Sequence, residues 1–122
     1  MNHYTILMMG YNAKDWIDQA VYTAVNQNHS NFEVIAIDAE TNDGTHEKLL
    51  GWEKEHSNLR VVRNSPKQYQ TQNVYDGCRM AKDNSIIVSL DFDDWFPHSE
   101  VLTTLDKYYN ENVWMTYGSK TN

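Results

Sequence analysis

Apolar runs and helically spaced apolar positions alternate along the whole chain. Residues 4–9, Tyr-Thr-Ile-Leu-Met-Met, form a short apolar run that reads as a buried strand, broken by Gly10-Tyr11-Asn12. Trp16, Ile17, Ala20, Val21, Ala24 and Val25 then recur at helical spacing, followed by a polar connector over 26–31. Residues 32–37 give a second strand ending at Asp38, and 41–45 carry the Thr, Asn and Asp chemistry of a helix start. A helix with Leu49, Leu50 and Trp52 follows, weakened locally by Gly51. Residues 59–63 read as a third strand, 64–72 as a polar loop with Pro66, and 73–82 as a helix with Val74, Cys78 and Ala81 on one face. A fourth strand runs through Ile86, Ile87, Val88 and Leu90. Ser99-Glu100-Val101 opens a helix that turns Val101, Leu102, Leu105, Tyr108 and Tyr109 inward, and 113–117 read as a last strand. There is no repeat, low-complexity tract or internal boundary, so residues 1–122 are expected to form one domain.

Strands alternating with helices imply βαβ units, and so a three-layer α/β/α, Rossmann-like fold with a mostly parallel sheet. Such sheets bind ligands beyond the carboxyl ends of their strands, where the strand order reverses. The candidate polar groups fall there: Tyr11 and Asn12 after the first strand, Asp38 to Asp43 after the second, Asn64 after the third and Asp91 to Asp94 after the fourth. One site is expected, with Asp38 and Asp91 at the same end of the sheet.

The fourth strand ends abruptly in Asp91-Phe92-Asp93-Asp94-Trp95. Carboxylates so close together repel one another, and side chains on one strand tip cannot easily separate. A hard divalent cation such as Mg²⁺, Mn²⁺ or Ca²⁺ resolves the conflict because such ions prefer carboxylate oxygen. Trp95-Phe96-Pro97 would wall the site with bulk, and the bland alternative is a solvated polar turn. Net charge sharpens the choice. At −7 the chain lacks the basic footprint of a nucleic-acid binder, and a phosphorylated ligand would need a cation as mediator. The single cysteine, Cys78, rules out an internal disulfide and fits a reducing, cytoplasmic compartment. No apolar run reaches membrane-spanning length.

Other chemistries fit less well. Neither a G-x-G-x-x-G nor a G-x-x-x-x-G-K-[ST] motif occurs. The stretch from Asp38 to Leu49 resembles a calcium loop, but its glycine comes one position late and Leu49 replaces the closing glutamate. The histidines show no zinc-ligand spacing with Cys78. A phospho-acceptor receiver needs an acidic pair after its first strand, where this chain has Gly10-Tyr11-Asn12. A haloacid-dehalogenase-type D-x-D-x-[TV] fails at Trp95 and lies in the wrong strand. Asp38 reads as functional, since a turn there needs no buried acid. Asp43 and His98 read as helix-start residues, and Asn12 equally well as a turn residue or a ligand contact. Cys78, Trp16, Trp52 and Tyr108 read as core.

Four motifs in order carry a family resemblance. Met9-Gly10-Tyr11-Asn12 matches a strand followed by T-Y-N, and Thr23 to Gln27 matches S-x-x-x-Q. Asn31-Phe32-Glu33, a strand and the segment Asp38 to Thr45 match N-F-E followed by D-D-G-S-T-D-G-T, and Leu90 to Trp95 matches L-D-x-D-D-W. Over nearly its whole length the chain resembles the N-terminal, nucleotide-sugar-binding half of family 2 glycosyltransferases, which have the GT-A fold. The resemblance implies a nucleoside-diphosphate sugar as donor, a divalent metal, and inverting transfer to a glycan or other hydroxyl acceptor. It implies nucleotide binding by Tyr11, Asp38, Glu40 and Asp91, and metal ligation by Asp91, Asp93 and Asp94. Asp93 would coordinate the metal directly, Asp91 would meet the ribose or a metal-bound water, and Asp94 would support one of them. Ala39 and Glu40 replace the second aspartate and the glycine of D-D-G-S, which leaves the base open. The family carries its acceptor site and general base in the C-terminal half, so a donor-binding portion, truncated relative to a full glycosyltransferase, is expected. The alternative is a nucleotide- and metal-binding module without turnover as this chain.

Overall fold

The computed structural model describes residues 3–39, 41–63, 79–82 and 85–109. Four strands, β1 (Tyr4–Gly10), β2 (Phe32–Asp38), β3 (Leu59–Arg63) and β4 (Ile86–Asp91), form one sheet in the order β3-β2-β1-β4. Every pairing is parallel. Helices α1 (Ile17–Val25) and α2 (Thr45–Glu55) follow β1 and β2, and α3 (Val101–Tyr109) follows β4. This is the mostly parallel α/β fold that the alternating pattern predicts. Chain order runs outward from β1 to β3 and then returns to the other side of β1, so the order reverses between β1 and β4. That reversal opens the crevice where α/β sheets bind ligands.

The central strand β1 is buried on both faces, and its side chains sort by the two-residue period of a strand. Ile6 and Met8 join Val34, Ala36 and Leu90 in the larger core, with Ile17, Ala20, Val21 and Ala24 of α1, Leu49 of α2 and Leu102 of α3. Leu7, Met9, Ile35 and Ile37 form the core of the opposite face, with Val62, Met80 and Ile87 against it. Tyr4 is fully buried and spends its one polar atom on α3: its hydroxyl donates to Asp106 Oδ1 at 2.6 Å, and His29 Nε2 lies 2.9 Å from Asp106 Oδ2.

Some side chains depart from the expected core. Trp16 is 51% exposed: it precedes the first helical residue, Ile17, and turns to solvent although its spacing fits the apolar stripe. Trp52 is half-buried and packs on the rim of the core, and its indole N–H donates to Asp18 at 2.9 Å. Burial pushes the Asp18 carboxyl up, but the hydrogen bonds from Trp52 and Lys48 outweigh it and hold Asp18 below its ordinary range. Leu50 is exposed. Phe96, expected to wall the acidic site, is buried in the larger core, whereas Trp95 remains exposed. The expectations for Cys78, for the side chains of Tyr108 and Tyr109, and for a strand over 113–117 lie outside the described residues.

Gly10 closes β1 against an aromatic ring. Phe92 is 1% exposed, and a Cβ on Gly10 would stand 2.7–2.8 Å from its ring and Cβ, closer than real contacts allow. Gly10→Ala is therefore expected to cost about 1–3 kcal/mol through overpacking. In a Phe92→Leu background the same substitution should cost much less. Urea unfolding of the four proteins measures this, and equal costs in both backgrounds would contradict the contact.

Candidate functional site

Register places the predicted residues together. Gly10 pairs with Asp38 on one side, and Met9 pairs with Asp91 on the other, so both acids sit at the carboxyl end of the sheet and flank the end of β1. The ladder continues one step beyond each strand: Ala39 N–H donates to Gly10 O at 3.1 Å and Phe92 N–H to Met9 O at 3.0 Å. Asp94 N–H then donates to Asp91 O at 3.0 Å, closing a turn. That turn brings carboxylate oxygens of Asp91, Asp93 and Asp94 within 4.8 Å of one another. Phe92 alternates inward and is buried, which leaves Asp93 exposed, with Asp91 and Asp94 half-buried. Tyr11, 41% exposed, leaves β1 at the same edge. Glu40 lies outside the described residues.

Asp38 is fully buried and its carboxylate is well occupied. Oδ1 accepts from Thr41 N–H at 2.9 Å and Oδ2 from the Thr41 hydroxyl at 3.0 Å. His46 Nδ1 lies 2.8 Å from Oδ2. Arg63, the register partner of Asp38, donates to Thr41 O at 2.9 Å. Asp38 thus shapes the loop after β2, so the turn there does use a buried acid, contrary to the premise on which the sequence reads Asp38 as functional.

The loops after β1 and β2 are stitched to each other. Asn12 adopts the left-handed conformation, φ 49°, that asparagine tolerates better than most residues. Its amide donates to Asn42 Oδ1 and accepts from Asn42 N–H, both at 3.0 Å, which gives it a turn role. The Thr45 hydroxyl accepts from Ala13 N–H at 2.9 Å and donates to Asp43. Asp43 also accepts from the backbone of Thr45 and Lys14 and so serves the start of α2, as expected. Gly44, φ 102°, supplies the left-handed step before the helix. His98 Nδ1 accepts from Glu100 N–H just ahead of α3, again a helix-start role.

Comparison with known proteins places this geometry in a family. The profile described as Glycosyl transferase family 2 matches residues 5–120, and the chain belongs to that family. A Bacillus subtilis (strain 168) protein named as a teichuronic acid biosynthesis glycosyltransferase, TuaG, is 33% identical over 58 residues, which cover 48% of this chain and 23% of TuaG. The fold matches GT-A glycosyltransferase structures. S. aureus TarS 1–349 superposes with a TM-score of 0.78 at 18% identity, covering 89% of this chain and 32% of that one. The mannosyltransferase PcManGT from Pyrobaculum calidifontis, solved with GDP-Man and Mn²⁺, gives 0.79 at 22% identity over 87% of this chain and 32% of its own. The chain therefore spans about a quarter to a third of the length of these relatives.

The linkage between the loops is open to acid titration. The hydrogen bond from the Thr45 hydroxyl, with those from the Thr45 and Lys14 amides, holds the Asp43 carboxyl below its ordinary value of 3.8. A depressed carboxylate contributes stability that is complete above its unfolded-state value and is lost as pH falls through the folded one. Asp43→Ala should thus lower the thermal midpoint at neutral pH, and the gap from the parent should narrow as pH drops below 3.8. Scanning calorimetry across that window checks it, and a gap that stays constant would contradict the charge-based account.

Proposed function

We propose that this chain binds the donor of a glycosyltransferase reaction, a nucleoside-diphosphate sugar held through a divalent cation, Mn²⁺ or Mg²⁺, for inverting transfer to a glycan or other hydroxyl acceptor. The observation that carries the reading is the cluster of Asp91, Asp93 and Asp94 at the point where the strand order reverses, in a family 2 chain. Relatives of the same fold support it: TarS has been solved with UDP and with UDP-GlcNAc, and PcManGT with GDP-Man and Mn²⁺.

The donor set suits such an ion. It offers only hard carboxylate oxygens, with no thiolate or imidazole to favour a softer metal. When bound, the cation supplies positive charge against the charge developing on the departing diphosphate. Asp93, the most exposed of the three, would hold the cation directly. Asp91 would meet the ribose or a metal-bound water, and Asp94 would support one of them. Tyr11 would line the nucleoside pocket, and Asp38, buried and bonded to Thr41, would shape its wall from beneath. Glu40 is proposed to contact the nucleotide from the same loop. Inversion also requires a base to take the acceptor hydroxyl proton, and none of the described residues is assigned that part.

A second reading is a nucleotide- and metal-binding module without turnover as this chain. The two readings share the binding step and separate on transfer of labelled sugar to an acceptor library. Calorimetric titration with UDP and GDP, with and without Mn²⁺, tests the shared step. The parent should bind one of them more tightly with metal. Asp93→Ala should lose the metal effect, stay folded and melt no lower than the metal-free parent, since it removes one of three repelling charges. Equal nucleotide affinity with and without metal in the parent would overturn the proposal.

A further inference from the structure

The motif from Thr23 to Gln27 takes no part in the chemistry above, yet it is among the most heavily bonded places in the fold. Gln27 is 6% exposed, and both its amide nitrogen and its amide oxygen bond to backbone. Nε2 donates to Thr23 O at 3.1 Å and to His98 O at 2.9 Å, and Oε1 accepts from Leu102 N–H at 3.1 Å. That amide belongs to the first turn of α3, where N–H groups lack a partner within their own helix. Gln27 therefore caps α3 from the end of α1. The Thr23 hydroxyl accepts from Phe96 N–H at 3.1 Å. Beside them, Asn28 N–H donates to Ser99 O at 2.7 Å, and the Thr103 hydroxyl donates to Asn28 O at 2.6 Å.

These bonds fall on one segment, residues 96–103, and that segment is the far anchor of the acidic tip. The near anchor is the β1–β4 ladder, which ends at Asp91. Residues 92–95 span the gap between two fixed points while carrying carboxylates that push apart. A tip anchored only by β4 could relieve that repulsion by spreading. Anchored at both ends, it cannot.

We propose that Gln27, assisted by Thr23, is a positioning residue for the cation site: it sets affinity for the metal by holding the descending arm of the acidic tip against α1. The inference deepens the donor-binding reading and rests on it. Groups that orient ligands from outside typically change metal affinity by about 10–100-fold, so folded Gln27→Ala should need about ten-fold more Mn²⁺ for half-maximal UDP or GDP binding. Thr23→Val, a milder change that removes the acceptor for Phe96, should move in the same direction, and Thr23→Ser should restore the parent value. Hydrogen exchange should show lost protection across 94–102, with β1 and β2 amides unchanged. Leu49→Ala serves as a control, because it weakens the same core from α2, which makes none of the hydrogen bonds that hold this segment. It should lower the thermal midpoint and leave the Mn²⁺ requirement alone.

Parent-like Mn²⁺ demand and exchange in folded Gln27→Ala and Thr23→Val would overturn the proposal, as would an equal loss of affinity in Leu49→Ala. A parent chain indifferent to Mn²⁺ would sink the donor-binding reading and the affinity claim together. The exchange measurement would then still decide whether Gln27 holds the tip.

Discussion

Three carboxylates crowded at the end of one strand are the constraint around which this fold is arranged. Two unit charges about 4 Å apart repel by about 1 kcal/mol in bulk water and about 4 kcal/mol near a protein surface. Solvent and side-chain rotation relieve part of that, so the remainder must be carried by the backbone that holds Asp91, Asp93 and Asp94 together. Each feature nearby contributes. The β1–β4 ladder fixes the strand up to Asp91, the Asp91–Asp94 turn sets the spacing, and Phe92 anchors the middle by burying its ring over Gly10. The proposed cation site would thus have its geometry in place in advance, so little ordering cost would fall on binding.

The opposite wall of the crevice is built by different means. There the repulsion problem is absent, and the chain instead ties the loops after β1 and β2 into one unit through Asn12, Asn42, Asp43 and Thr45. Asp38 organises this wall from beneath, buried and bonded to Thr41. The crevice thus has one side where acids gather at a strand tip and one side whose described acids, Asp38 and Asp43, bond to their own loops. That asymmetry is in keeping with the proposed donor, charged at its diphosphate and largely uncharged at its nucleoside.

Much of this was legible in the sequence because strand and helix periods differ sharply. The buried runs through Ile6 to Met9 and Val34 to Ile37 read as strands, their alternation with helices implied a parallel sheet, and the fold rule then carried Asp38 and Asp91 to the same end. Periodicity proved weaker at element boundaries. Trp16 fits the apolar stripe of α1 by spacing, yet it precedes the first helical residue and turns to solvent. Phe96 was legible as bulk but not as core, since its burial depends on how the segment after β4 folds back onto α1. The role of Gln27 was invisible for the same reason. Its partners His98 and Leu102 are more than seventy residues away, and no local pattern announces a cap supplied by another helix. What could be read was the recurrence of Thr23 and Gln27 as a family-like motif, a sign of importance without a mechanism.

The central claim is that the fold gathers these three carboxylates into one cation site among the seventeen acidic residues of the chain. Paramagnetic broadening of backbone amide signals by trace Mn²⁺ tests it residue by residue, without nucleotide or acceptor. The account predicts that signals of residues 91–94 fade first, followed by those of 10–12 across the crevice, while signals at the opposite end of the sheet persist. Broadening spread evenly over the acidic surface, or centred away from the end of β4, would contradict it.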